Sequence, residues 1–446
     1  MGEIEGGLDA AEALAAKGRV AEARDAYVAV LARDPSNLRA LRQLGALLFG
    51  IGYRTAARTV FAQAVERHPG DAASRVSLGH VLHDAGEFAA AREQFQAALR
   101  IDPRDAGAHQ GLAYALGELG DEEGAREHRR IGFAARPMVE MPYRGQGRPV
   151  RVLLLISAAG GNIPTRQVLD QRTFQTTVVA PEFHPASAPL PPHDVVFNAI
   201  GDPDLDAPGL RAAERLLAHT NARVINPPSK VLATGRASHG RLRAVPGLRV
   251  PRTLLLPRPS IAAAGLPFPM LVRSPGFQTG RHFARVERPG DLAGAISPLP
   301  GKELLAIEFL DARSPDGKVR KYRVMTIGGE LFPLHLAVSA NWKVHYFTAD
   351  MADRPEHRAE DAAFLAAMPR TIGPRAIEAL RGIQSILGLD YGGIDFGLSA
   401  QGEVLLFEAN ATMVVNPPEP GAQWDYRRPA VARVLAAARG MLGAAS

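Results

Sequence analysis

DAASRVSLGHVLHDAGEFAAAREQFQAALRIDPRD, residues 71–105, is one copy of a unit that recurs through the first 137 residues. Gly18, Gly52, Gly86 and Gly120 stand 34 residues apart, and so do Leu14, Leu48, Leu82 and Leu116. Ala23, Ala57, Ala91 and Ala125 keep the same interval, as do Pro35, Pro69, Pro103 and Pro137. Four residue types in one register over four copies predict a repeat architecture. Within the copy, Leu78 and Leu82 are four apart and share a helical face. Gly86 permits a tight turn. The small Ala91 lets a second helix pack close, and Phe95 and Ala98 continue its apolar face. Pro103 ends the unit because proline cannot continue a helix.

This pattern resembles tetratricopeptide repeats, which stack helix pairs into a curved solenoid. The first copy has Tyr27 where later copies have Phe61 and Phe95, and the fourth has Arg129 and reads as a cap. The resemblance implies a peptide or protein partner gripped on a concave surface. A spacer or dimerisation arm is the plainer alternative.

The chain has 446 residues, enough for two or three domains. Its 46% hydrophobic and 22% charged residues are ordinary for a globular protein. It has no cysteine, which excludes disulfides, thiolate zinc sites and cysteine nucleophiles and fits a cytoplasmic setting. No stretch is long and apolar enough to span a bilayer, and no basic leader precedes an apolar core, so neither membrane nor signal peptide is expected. The formal charge of +6 favours an anionic ligand such as a nucleotide. The arginines are dispersed rather than run together with aromatics, so nucleic acid is not expected.

Residues 138–149 (MVEMPYRGQGRP) contain Pro and Gly without an apolar period and read as a linker. The chain then changes style. VRVLLLIS (150–157), TTVVA (176–180) and DVVFNAI (194–200) read as strands, and GLRAAERLLAHT (209–220) as a helix. Such alternation predicts an α/β domain.

The most informative stretch of that domain is LDYGGIDFGLSAQGEVLLFEANATM, residues 389–413. Two apolar runs flank Ala-Gln-Gly-Glu and predict a hairpin. A turn centred between Gln401 and Gly402 sets Asp395 opposite Glu408, with Cβ atoms ~5 Å apart. Asn410 shares the face of Glu408 because side chains alternate along a strand. Two facing carboxylates repel, and a hard cation with oxygen ligands removes that penalty. Magnesium suits two carboxylates and an amide, and it usually brings phosphate with it.

Residues from about 150 to 440 resemble an ATP-grasp protein of the glutathione-synthetase-like type, whose last hairpin ends in a metal-binding Glu-x-Asn preceded by an aspartate. The resemblance implies an N-terminal α/β subdomain over 150–225 and nucleotide-binding and catalytic subdomains over 226–446. It implies ATP as cofactor, with magnesium, or alternatively manganese, on Asp395, Glu408 and Asn410. In ARVINPPSKVLATGRASHGRLRAVPGLRVPRTLLL (222–256) it implies a basic phosphate contact. The candidates are Arg236 and Arg241, with Arg236 favoured by its distance from Pro251. FPMLVRSPGFQTGRHFARV (268–286) resembles the family's strand, glycine loop and strand over the triphosphate, with Arg273 where lysine is usual and Gly276 and Gly280 in the loop. Glu308, Phe309 and Leu310 match the adenine-binding step, and Asp311 is a second candidate for the ribose. Lys321 and Arg323 alternate onto one strand face, and Arg323 matches the arginine that meets the γ-phosphate or the reacting carboxyl. In SANWKVHY (339–346), Lys343 is a candidate phosphate contact and, with Arg323, a candidate catalytic residue, while His345 is a candidate base and Asn341 a further candidate.

The resemblance implies an ATP-dependent carboxylate–amine ligase that works through an acyl phosphate. Carboxylate and amine substrates are its partners besides ATP, and the repeats are placed to deliver a peptide or protein substrate. A phosphotransferase and a non-catalytic, ATP-binding repeat adaptor are the alternatives. The loops AAGGNIPT (158–165) and GDPD (201–204), at the ends of predicted strands, are the candidates for acceptor specificity.

Overall fold

The computed structural model describes residues 2–185, 188–277, 280–344, 349–418 and 421–443. Its packing divides the chain into two units. One holds Met1–Val152, Leu169–Pro189 and Asn416–Ala422, the other Leu153–Val168, Leu190–Val415 and Gln423–Ser446.

The first unit opens with eight helices among the described residues: α1 (Gly2–Ala16), α2 (Val20–Arg33), α3 (Leu38–Gly50), α4 (Arg54–Arg67), α5 (Ala72–Asp84), α6 (Phe88–Ile101), α7 (Ala106–Leu119) and α8 (Glu122–Ala135). Each packs on the next. The period-34 glycines sit at the turns inside each pair, and Gly18, Gly52, Gly86 and Gly120 have φ of 71, 88, 79 and 85°. That left-handed backbone costs glycine nothing and other residues a steric penalty. A second set shares the interval: the side chains of Asn37, Asp71 and Asp105 accept from the backbone N–H groups of Ala40, Ser74 and Ala108 and cap α3, α5 and α7.

The core of the repeats is built on rings set against glycine. Tyr27, Phe61 and Phe95 are buried. A Cβ built on Gly45 would stand 2.7 Å from the Phe61 ring, and one on Gly79 2.7 Å from the Phe95 ring. The missing side chains therefore let the first helix of a pair close on the ring of the second. In the fourth copy Arg129 replaces the ring and lies 4.0 Å from Glu122.

The stretch expected to be only a linker contributes a strand: β1 (Met138–Glu140) runs antiparallel to β3 (Phe174–Val179). Three residues are too few to display an alternating period. Between them in sequence, β2 (Val150–Leu155) crosses the division between the units.

In the second unit, β4 (Val195–Asn198) and β5 (Arg223–Ile225) are parallel and joined through α9 (Pro203–Leu217). This helix starts earlier than its apolar period indicates, because Asp202 caps it and a non-helical Asp206 (φ −139°, ψ 62°) bends its first turn. The remaining strands are β6 (Leu248–Arg249), β7 (Thr253–Pro257), β8 (Met270–Arg273), β9 (Phe283–Val286), β10 (Glu303–Glu308), β11 (Val319–Ile327), β12 (Glu330–Ser339), β13 (Tyr391–Leu398) and β14 (Val404–Asn410). They form an antiparallel sheet in the order β7-β10-β8-β9 and a second in the order β12-β11-β13-β14-β6, with β6 parallel to β14. The helical segments Pro355–Leu387 and Arg428–Gly443 pack on the second sheet. The chain thus has a helical repeat region followed by a mixed α/β region.

Adding a methyl group at Gly79 should overpack the Phe95 ring and destabilise the protein by about 1–3 kcal/mol. Gly70, where a Cβ meets nothing within 4 Å, should tolerate alanine within about 0.5 kcal/mol. Urea unfolding of Gly79→Ala and Gly70→Ala checks the contrast, and equal midpoints would remove the packing role given to Gly79.

Candidate functional site

The β13–β14 hairpin reaches the expected pairing by a different route. Leu398 opposes Val404, so the turn is centred on Gln401 and not between Gln401 and Gly402. Continued unbroken, that register would set Phe407 opposite Asp395. A bulge between Asp395 and Phe396 absorbs the extra residue, and Asp395 faces Glu408 while Gly393 faces Asn410. A bulge re-aims side chains in this way wherever one strand carries an additional residue.

The facing acids are neutralised by the protein itself. Arg323 opposes Asp395 across β11 and β13. Its Nε donates to Oδ1 at 2.6 Å and its Nη2 to Oδ2 at 2.8 Å. Lys321 Nζ lies 2.6 Å from the same Oδ2. Burial pushes the Asp395 carboxyl up, but the charges and hydrogen bonds of Arg323 and Lys321 outweigh it and hold the group well below the usual carboxylate range. Glu408 Oε1 accepts from Arg236 Nη2 and, at 2.7 Å, from Asn410 Nδ2. Burial raises this carboxyl too, and Arg236 and Arg273 more than offset it. The repulsion that the sequence leaves to a metal is thus met within the protein by three basic side chains, Arg323, Lys321 and Arg236. Among the described residues no three His, Asp or Glu side chains form a metal-binding group. Asn410 Oδ1, the amide oxygen assigned to the metal, accepts from the Thr412 N–H and hydroxyl at 3.0 Å each.

Arg236 opens a 3-10 helix, Arg236–Ala244, and is buried, while Arg241 on the same helix is exposed. Of the two candidates, only Arg236 reaches the acids. It also donates from Nη1 to Asp204 Oδ2 at 3.1 Å. Arg273 ends β8 and is buried, and one of its Nη atoms donates to the Phe277 carbonyl. Its Nε has no hydrogen-bond partner, and it forms no ion pair among the described residues. Burial and the nearby Arg236 pull its pKa down to about 10. Gly276 and Gly280, after β8, have φ of 76 and 71°. A Cβ on Gly280 would stand 2.6 Å from Lys343 Cε, so Gly280 and Lys343 meet. Lys343 is exposed, and burial and Arg273 lower its pKa.

The Glu308 carboxylate accepts from the Arg252 N–H at 3.0 Å, and its own N–H donates to the Arg252 carbonyl at 2.8 Å. Phe309 carries the Arg285 guanidinium 4.3 Å from its ring centre. Leu310 is buried with Ala312, Val319 and Leu405. Asp311 is exposed and accepts from the Arg313 N–H at 3.0 Å, which closes a local turn. Asn341 is exposed, and its N–H donates to Ser339 Oγ at 3.2 Å. His345 lies outside the described residues.

The structure thus gathers Lys321, Arg323, Arg236, Asp395, Glu408 and Asn410 in adjoining ion-pair clusters. Arg273 at the end of β8 and Lys343 beside Gly280 form a cationic pair of side chains, and Glu308, Phe309, Leu310 and Asp311 line the end of β10. Sequence reading missed Asp204 as the second partner of Arg236. It also missed Phe283 and Trp342, whose rings stand 5.5 Å apart beside that cationic pair. The GDPD motif was the available signal for Asp204. The Trp342 pairing joins distant segments and leaves no local pattern. In the same loop, a Cβ on Gly201 would stand 2.7 Å from Thr412 Cγ2, which packs GDPD directly beside the end of β14. Ser157 Oγ donates to Asp206 Oδ2 at 2.5 Å, and Asn162 closes on the Ser157 backbone, with Ser157 N–H donating to Oδ1 at 2.7 Å and Nδ2 donating to the carbonyl at 2.9 Å. The loop 158–165 is therefore held through Asn162 on the Ser157 backbone, and the Gly201 N–H donates to the Gly161 carbonyl at 3.1 Å, which joins the two loops expected to set acceptor specificity.

The family model "Tetratricopeptide repeat" matches residues 8–72, 48–106 and 76–128. A structure of MamA MSR-1 is 24% identical, over 29% of this chain and 74% of that one, with a TM-score of 0.27. A structure of MamA 41-end from Desulfovibrio magneticus RS-1 is 27% identical, over 28% of this chain and 71% of that one, also with a TM-score of 0.27. Those scores are too low to establish a shared fold. No curated protein matches the chain. The N-terminal helices are tetratricopeptide repeats, modules that commonly bind other proteins.

Replacing the buried Asp395 by Asn would leave the half-buried Arg323 and Lys321 against a neutral group, at a cost of about 3–5 kcal/mol. The acid limb of stability carries the same signature. Because the folded pKa of Asp395 is depressed, its contribution is full above the ordinary aspartate range and is lost as pH falls from about 3.9 toward the folded value. Urea unfolding across pH 2–7 should show this loss in the parent and a flatter limb in Asp395→Asn. Equal limbs would deny Asp395 its ion pairs.

Proposed function

We propose that the α/β region is an ATP-grasp-like site that uses magnesium and ATP to join a carboxylate to an amine through an acyl phosphate. The observation that carries the reading is Arg273. A buried guanidinium with an unpartnered Nε and no ion pair among the described residues is costly unless an anion meets it. Arg236 and Lys343 lie near enough to shift, or be shifted by, its charge. A polyphosphate is the anion that can answer several cations at once.

Asp395, Glu408 and Asn410 supply the oxygen donors that magnesium prefers, in a group that already shares one hairpin. The fit requires these donors to exchange Arg323, Lys321, Arg236 and Thr412 as partners. Bound there, the ion would supply charge neutralisation for the transferring phosphoryl group. Arg273 and Lys343 would hold the phosphates, and Arg323 would orient the phosphoryl acceptor. Glu308, Phe309 and Leu310 offer backbone and apolar contacts for the base, and Asp311 a carboxylate for the ribose.

One observation favours a second reading, an adaptor that binds nucleotide without turnover. Asp395 is locked by a two-pronged arginine and a lysine, and a buried pair of that kind resists opening. Incubation with Mg-ATP and pools of carboxylates and amines, followed by mass spectrometry, separates the readings. Amide products with ADP support the ligase, a stable phosphorylated product supports a phosphotransferase, and binding without any product supports the adaptor. For the peptide or protein substrate, delivery by the repeats remains the proposal.

Glu408→Gln should weaken metal-dependent ATP binding at least tenfold, and Arg273→Ala should weaken binding of ATP with or without magnesium. Calorimetric titration reads both. Unchanged Mg-ATP affinity in Glu408→Gln would remove the metal assignment, and unchanged affinity in Arg273→Ala would remove the phosphate assignment.

A further inference from the structure

Trp342 stands beside Lys343 just past β12. Its ring meets Phe283 edge-on with centroids 5.5 Å apart, and meets Phe309 edge-on at 6.3 Å. Phe283 opens β9, and Phe309 directly follows β10. Phe283 therefore belongs to the four-stranded sheet and Phe309 lies at the end of one of its strands, while Trp342 follows a strand of the five-stranded one. Two cations lie over the same ring: the Arg273 guanidinium is 5.4 Å and the Lys343 ammonium 5.8 Å from the Phe283 centre.

Arg273 and Lys343 are like charges that share one aromatic ring, and nothing in their own electrostatics favours that placement. The burial and mutual repulsion of the two groups lower the pKa of Lys343. A compensating attraction must hold the two cations together, and the aromatic contacts provide it. An edge-to-face pair adds attraction beyond its burial, and cations over rings add more.

We propose that Trp342 is a positioning residue: seated against Phe283 and Phe309, it holds Lys343 beside Gly280 and the Phe283 ring, and so presents Lys343 and Arg273 together to a polyphosphate. Ordering the cations before the anion arrives removes a cost that would otherwise fall on binding. The clamp rests on the nucleotide reading above and specifies how that site attains its affinity. It acts through Lys343 and not through the base, which makes it separable from a stacking role.

The test uses the full chain and equilibrium dialysis with two probes, Mg-ATP and inorganic tripolyphosphate, on the parent, Trp342→Ala, Trp342→Phe, Lys343→Ala and the Trp342→Ala/Lys343→Ala pair. Trp342→Ala should weaken both probes by about tenfold. Trp342→Phe should recover most of that loss because it keeps an aromatic edge. The double substitution should lose little more than Lys343→Ala alone, the mark of residues that act as one. Equal binding by Trp342→Ala and the parent, additive losses in the pair, or a loss confined to Mg-ATP would each overturn the clamp. If Trp342→Ala does not fold by circular dichroism, Phe283→Leu removes the opposite side of the contact and must give the same loss. A parent that binds tripolyphosphate but not Mg-ATP refutes the nucleotide reading and leaves the clamp standing. A parent that binds neither refutes both.

Discussion

Asp395 has no exposure to water in a central strand of a five-stranded sheet, and its charge is met by Arg323 and Lys321 from the neighbouring strand. An unpaired carboxylate there would lose its hydration and gain nothing in return. The register of β11 against β13 is thereby fixed, since a one-residue slip would turn both cations to the other face. The bulge on the far side of β13 then brings Glu408 level with Asp395, and Glu408 draws Arg236 inward from the 3-10 helix. Arg236 in turn holds Asp204, from the first turn of α9. One chain of buried charges thus ties the hairpin, the 3-10 helix and the GDPD loop into a single arrangement.

Much of this was legible from residue order alone, for identifiable reasons. The repeats announce themselves because each copy must solve the same backbone problem, so Gly18, Gly52, Gly86 and Gly120 recur where φ is positive. Residue order predicts Asp395 opposite Glu408, and the structure holds that pair through two faults in the expected register that cancel. The turn is centred one residue from its expected place, and an unforeseen bulge restores the register. Neither fault could be seen in the apolar pattern, because Leu405, Leu406 and Phe407 are all apolar and any register buries some of them. The choice of partners was less legible still. Lys321 and Arg323 alternate visibly on one face, but a strand pattern does not say whether such cations await a phosphate or already hold an aspartate.

The repeats and the α/β region are also less separable than their sequence styles indicate. Residues 138–152, 169–189 and 416–422 belong to the same compact unit as the helices. Phe133 of α8 stacks on Phe183, with centroids 5.7 Å apart and planes inclined by 24°. A cut after residue 137, the natural boundary from the 34-residue period, would strip that ring of its partner and expose apolar surface. Point substitutions on the repeat helices are therefore the sounder way to ask whether they deliver a substrate.

The ion pairs that lock Asp395 belong to a balanced set of charges. Arg236, Arg323 and Lys321 are matched by Asp204, Glu408 and Asp395. Arg273 and Lys343 remain as a surplus of positive charge, while burial drives the adjacent Asp202 toward its neutral form. A polyphosphate arriving with its cation brings a surplus of the opposite sign. Arg323 and Lys321 could then exchange a carboxylate for phosphate oxygens while Asp395 exchanges them for the metal. The number of opposed charges in contact would be conserved. The energetic obstacle to opening the lock is therefore much smaller than the cost of breaking it in isolation, because breaking leaves a buried charge alone and exchange does not. The same ion pairs that stabilise the ligand-free hairpin would keep its acids ordered until a ligand of matching charge replaces their partners.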